Sequence, residues 1–177
     1  MPNLIRLLAL CWLSLLPLAA NATQQVGEAI SVDGEQRYSD SQPFDGAEKF
    51  DGQLWRRLTQ QLSPCRMSAD WRGYVGTWAI KKNELFLVSV RVATCGDPPF
   101  KEIPLSALRP GATGPIKAEW FSGEILLEKG PRIPGPCGFS PDCPSGYEVL
   151  IFERGNKVRS EYRALQQQRQ LPQGNTP

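Results

Sequence analysis

The residues in this chain that could do chemistry are chiefly carboxylates. Glu119, Glu124 and Glu128 lie close together in the sequence, as do Glu148 and Glu153. Two carboxyl groups flanking a glycosidic bond can hydrolyse it without histidine, one as acid and the other as nucleophile or base. Glu119 and Glu124 are the candidates for such work, and Glu124 and Glu128 are spaced to share one face of a strand. The competing reading is the solvated face of a sheet, and it is preferred, so no catalytic residue is expected.

Other catalytic vocabulary is sparse. The chain contains no histidine, which removes Ser-His and Cys-His nucleophile pairs, histidine bases and the commonest metal ligand. Ser122 in "WFSGE" lacks the G-x-S-x-G frame that exposes a nucleophile on a sharp elbow, and reads as a turn residue. Gly73 and Gly76 are followed by Thr77-Trp78-Ala79 rather than by a helix start. They therefore suggest a strand bend or close backbone approach, not a phosphate cradle. No cofactor is expected. The cysteine spacings lack C-x-x-C knuckles, so zinc is not expected either.

Cysteine use points to an oxidising compartment. Residues 1–22, "MPNLIRLLALCWLSLLPLAANA", have the form of a cleavable export signal. Arg6 gives the charged start, Leu7 to Leu18 the apolar run, and Ala20-Asn21-Ala22 the small-residue cleavage pattern. The apolar run is about 12 residues, too short for a comfortable span, so no stable membrane anchor is expected after cleavage. Cys11 would leave with the signal. Cys65, Cys95, Cys137 and Cys143 remain, an even set that allows three pairings. Cys65–Cys95 and Cys137–Cys143 are favoured, the second closing "CGFSPDC". The formal net charge of +2 gives no basic excess for nucleic acid.

The elements that would position any site are mostly strands. Residues 23–45 are polar and read as a flexible leader, 46–165 as one β domain and 166–177 as a disordered tail. Asp51 is suited to cap a short helix over "DGQLWRRLTQQLS", with Leu54, Trp55, Leu58 and Leu62 on one face. "WRGYVGTWAI" and "ELFLVSVRVATC" flank the turn "KKN" and predict a hairpin. In the second strand, Phe86, Val88, Val90 and Val92 are expected to form the buried face. "LSAL" suggests one helical turn, and "IKAEWF" and "GEILLE" two strands. "GPRIPGPCGFSPDCPSG" reads as irregular because of its prolines and glycines. A last hairpin joins "YEVLIFE" to "KVRSEYRAL" through "RGN". The fold class is mainly β: a single antiparallel domain, a small barrel or sandwich-like roll, with one short N-terminal helix.

"DWRGYVGTWAI", Asp70 to Ile80, is the densest local pattern. Trp71 and Trp78 are expected to anchor the core, while Arg72 and Tyr74 are the candidate contacts to a partner. The sequence resembles a poorly characterised family of small bacterial β domains. In that pattern an R-G-Y-x-x-T-W strand leads to an L-x-L strand, and a later W-F-S-G-E strand pair precedes Gly-Tyr-Glu. The matching positions are Arg72 to Trp78, Leu85 to Leu87, Trp120 to Glu124 and Gly146 to Glu148. The resemblance covers roughly residues 71–153 and implies a compact β domain without implying an activity. The export signal and the Cys137–Cys143 insert depart from the pattern.

These features point to a periplasmic or secreted, disulfide-stabilised, non-catalytic binding protein of inhibitor or immunity type, with another protein as partner. The alternatives are a carboxylate-dependent cell-wall or carbohydrate hydrolase and a small-ligand carrier using a barrel mouth.

Overall fold

A computed structural model of the chain describes residues 26–65, 67–137 and 140–165, with side chains except at 136, 137, 140 and 141. The expected signal at 1–22 and tail at 166–177 lie outside the described residues.

The chain is mainly β, as its composition and turn spacing predict. Among the described residues nine strands form one sheet: β1 (Glu28–Val32), β2 (Glu35–Ser39), β3 (Tyr74–Lys81), β4 (Glu84–Ala93), β5 (Phe100–Ile103), β6 (Ile116–Lys117), β7 (Gly123–Cys137), β8 (Ser140–Glu153) and β9 (Asn156–Ala164). The order is β2-β1-β3-β4-β9-β8-β7, with β5 and β6 both on β4. Among the described residues three short helices accompany it: α1 (Ala47–Phe50), α2 (Gly52–Thr59) and α3 (Leu105–Leu108). The sheet is not closed into a barrel. Nor is it wholly antiparallel, because β1 runs parallel to β3.

Three two-residue turns set the hairpin registers. Asp33-Gly34, Lys82-Asn83 and Arg154-Gly155 all have positive φ at both positions, the geometry whose twist matches paired strands. The hairpin over "KKN" and the last hairpin thus form as predicted. The helix at α2 also forms, with the Asp51 carboxylate accepting from the Leu54 amide at 3.2 Å. Leu54 and Leu58 are its buried residues. Arg109 ties the same carboxylate from outside at 2.6 Å.

Within the expected leader at 23–45, the described residues 26–45 are not loose. β1 pairs with β3 from Ala29↔Thr77 to Val32↔Ile80, and Ile30 is fully buried. Phe44 lies 5.1 Å from Tyr74, 4.9 Å from Trp78 and 6.2 Å from Trp120, ring centre to ring centre. Burying a side chain of this size contributes about 2–3 kcal/mol, which holds the segment in the core despite its polar composition.

The proline-rich stretch after Lys129, expected to be irregular, contributes its described residues to the long β7–β8 pair. Prolines fit in β7 because, among the described residues, it is the last strand of the sheet, so Pro131 and Pro134 forfeit no ladder hydrogen bond on its outer side. "IKAEWF" contributes only the two residues of β6, paired to β4 rather than to β7.

In β4 the buried face changes phase. Leu85 and Leu87 are fully buried, then Val90 and Val92, whereas Val88 is 38% exposed. The β3 register passes from Thr77↔Ser89 to Trp78↔Leu87, leaving Val88 as the extra residue of a bulge. One inserted residue transfers the apolar set from odd to even positions. The expected face of Phe86, Val88, Val90 and Val92 is therefore only half right.

Candidate functional site

The two ends of the sheet, β2 and β7, approach each other without a backbone ladder. Side chains of β2 and the following turn bridge them instead. Ser39 Oγ donates to the Leu126 carbonyl at 2.8 Å, and the Leu126 amide donates to Ser41 Oγ at 3.0 Å. Arg37 donates to the Glu128 carbonyl and reaches Glu148 at 3.4 Å. Two hydroxyls and a guanidinium thus satisfy edge groups that would otherwise invite another strand.

Beside this seam lies an open groove of about 1070 Å³. Its walls combine Tyr38, Asp40 and Asp45 from the β2 side with Phe121, Glu124, Glu128 and Tyr147 from the β7–β8 side. Tyr38 is 71% exposed. The hydroxyl of Tyr147 is held above its usual pKa, first by burial and then by the charge of Glu128. The groove therefore offers aromatic surface interleaved with carboxylates, without a histidine or a cluster of potential metal ligands among the described residues.

The carboxylates do not assemble into an acid–base pair. Glu124 is forked by Arg163 at 3.0 and 3.1 Å, and this contact lowers its pKa. Glu128 pairs with Arg132 at 2.8 Å, and Glu148 with Arg37 and with Lys129 at 3.5 Å. Glu119 lines a separate depression with Asp51, Trp120 and Arg154. Glu153 belongs to neither depression. Ser122 Oγ accepts from the Arg154 amide at 2.9 Å, a turn function as expected.

Arg72 and Tyr74 are not surface contacts. Tyr74 is 5% exposed within the aromatic cluster, and burial raises its pKa to about 12. Arg72 turns inward to Glu28, 3.0 Å away, and donates a second bond to the Val26 carbonyl at 2.9 Å. The other Glu28 oxygen accepts from the Gly76 amide at 2.6 Å and from Trp78 Nε1 at 3.1 Å. Burial pushes the Glu28 carboxyl up to about 7; Trp78, Arg72 and Gly76 oppose that rise. The reason for the correction is Glu28, a residue of the supposed leader: a buried carboxylate must draw in a cation. Its partners come from "RGYVGTW", so the densest sequence pattern is the lock that holds β1 in the sheet.

Gly76 is needed at this lock. A Cβ there would stand 2.6 Å from Trp78 Nε1 and 2.7 Å from Glu28 Oε2. Trp78 is fully buried, but Trp71 is 67% exposed and does not anchor the core.

Cys65 and Cys95 form the expected disulfide, which spans 30 positions. Cys143 is also disulfide-bonded, while the side chain of Cys137, its expected mate, lies outside the described residues. No helix among the described residues is long and apolar enough to cross a membrane.

The chain matches no family model, no curated protein and no solved structure. Any functional reading therefore rests on the geometry itself. The groove residues Arg37, Tyr38, Ser39, Asp40 and Ser41 had one sequence signal, the Asp33-Gly34 dipeptide between two short β-like segments.

Proposed function

We propose that this chain is an exported, disulfide-stabilised, non-catalytic binding protein that receives a segment of a protein partner in the β2–β7 groove. The observation that carries this reading is the groove itself: an open channel between two strand ends, walled by the exposed Tyr38 and by carboxylates from both sides. Tyrosine supplies rigid contact area with a polar tip, a frequent feature of protein interfaces. Asp40 and Asp45 on the β2 side favour a segment carrying lysine or arginine, by charge complementarity, while Glu124 and Glu128 are already paired with Arg163 and Arg132. The Cys65–Cys95 bridge suits an oxidising compartment.

The hydrolase alternative is less well supported. A general acid needs a raised pKa, whereas Arg163 lowers that of Glu124. Glu119 faces a different depression. The carrier alternative depends on a barrel mouth, and the sheet does not close.

The test is recovery of partners by a tagged, exported chain after crosslinking in cells, with mass spectrometry of the adducts. One dominant partner is expected, bound through a basic segment, and Asp40→Lys with Asp45→Lys should abolish its recovery. Equal recovery by the charge-reversed chain would refute the groove as the site.

A further inference from the structure

The depression that holds Glu119 is built by three separate segments and shares only Ser122 with the groove. Phe50 and Asp51 come from the α1–α2 junction, Glu119, Trp120 and Ser122 from the link between β6 and β7, and Arg154 from the β8–β9 turn. Its volume is about 400 Å³, toward the lower end for small-molecule sites.

The backbone that carries its two unused charges is fixed. The Gly155 amide donates to the Phe121 carbonyl at 2.8 Å, and the Arg154 amide to Ser122 Oγ at 2.9 Å. A Cβ on Gly155 would stand 2.7 Å from the Ala118 carbonyl oxygen, so the turn sits directly on the 118–122 segment. Glu119 and Arg154 are thereby held on the wall of one depression.

Their side chains do not use that placement. Opposite charges brought together this way ordinarily close into an ion pair, as Asp51 does with Arg109 at 2.6 Å. Among the described residues, Glu119 and Arg154 make no ion pair with each other or with a third group. Arg154 is also a strained choice for its place. Its φ is 49°, in a turn where asparagine is the usual first residue, and no side-chain hydrogen bond among the described residues accounts for it. Beside these charges the Phe50 ring is 64% exposed. Trp120 supplies a fixed aromatic wall, its indole N–H satisfied by the Pro43 carbonyl at 2.9 Å.

We propose that this depression binds a zwitterion with an apolar side chain, either a free amino acid or a short peptide. Glu119 takes the ammonium, Arg154 forks the carboxylate, and Phe50 covers the apolar group. The ligand completes the two ion pairs that the fold leaves open. The site stands independently of the groove reading and needs no barrel mouth.

Titration of the isotope-labelled, full exported chain with L-phenylalanine and with alanyl-phenylalanine, followed by amide chemical shifts, tests this. Saturable shifts at Glu119, Ser122, Arg154 and Gly155 are expected from at least one probe. The tighter probe assigns the ligand to free amino acids or to peptides. Acetylating the amine of that probe, or amidating its carboxylate, should weaken binding roughly tenfold. Glu119→Gln should erase the preference for a free amine. Arg154→Asn, which suits the turn, should erase the preference for a free carboxylate, with the amide spectra showing both variants folded. No saturable shift with either probe, shifts confined to other surfaces, or variants that bind as the wild type does would overturn the proposal.

Discussion

The Glu28 carboxylate accepts the Gly76 amide at 2.6 Å, across the parallel β1–β3 pair, in a space that only a hydrogen on Gly76 leaves open. The position has no room for a side chain. Gly76→Ala should therefore displace either the carboxylate or the Trp78 indole, and destabilise the fold by about 1–3 kcal/mol. Denaturant unfolding checks this, and an unchanged midpoint would show that the Glu28 contact is not made.

The same carboxylate makes stability depend on pH. Burial raises its pKa from the ordinary 4.5 to about 7, so the folded chain binds the proton more tightly. The stabilisation by this group is fully present below about 4.5 and is lost as pH rises through about 7. The span corresponds to an upper limit on the order of 3 kcal/mol. Glu28→Gln should flatten the slope of unfolding free energy over that window. Thermal or urea unfolding at several pH values measures it.

Arg72→Ala leaves the buried Glu28 without its cation and the Val26 carbonyl without its donor. A loss of about 3–5 kcal/mol is expected, as for other broken buried pairs. Trp71→Ala, at a position 67% exposed, should change stability by only about 0.5 kcal/mol. The contrast between these neighbours can be read in one set of urea titrations.

The Cys65–Cys95 bridge closes a loop with a sequence separation of 30, and the chain-entropy model gives it roughly 3–4 kcal/mol. Replacing both cysteines with alanine should lower stability by about that amount. Peptide mapping without reduction should recover Cys65 joined to Cys95 and Cys143 joined to Cys137.

The strands built on local signals were legible in the sequence. β3, β4, β8 and β9 combine β-branched or aromatic runs with tight turns, and Asp51 marked α2 unaided. The site was less legible because its parts are distant in sequence. Nothing near Arg72 announces that its partner is Glu28, 44 positions earlier, and the polar letters around Glu28 resemble a solvated leader. A single bulge at Val88 likewise reversed part of β4, a shift no alternation rule foresees. The Asp33-Gly34 turn is the one local signal that ties β1 and β2 into the domain. The groove arises where β2 meets β7, and that closure depends on side chains such as Ser39 and Ser41 rather than on any motif.

The seam itself predicts a local effect. Ser39→Ala with Ser41→Ala removes both side-chain partners of the Leu126 backbone. Loss of about 1–2 kcal/mol is expected, together with faster hydrogen exchange at the Leu126 amide.

The most direct test of groove binding is site-specific photocrosslinking in cells, with the reactive residue placed at Tyr38 in one chain and at the exposed Lys81 in another. A single dominant protein adduct from position 38, absent from position 81 and mapping to a basic segment of the partner, is the predicted result. No adduct at position 38, or the same adducts from both positions, would contradict the account.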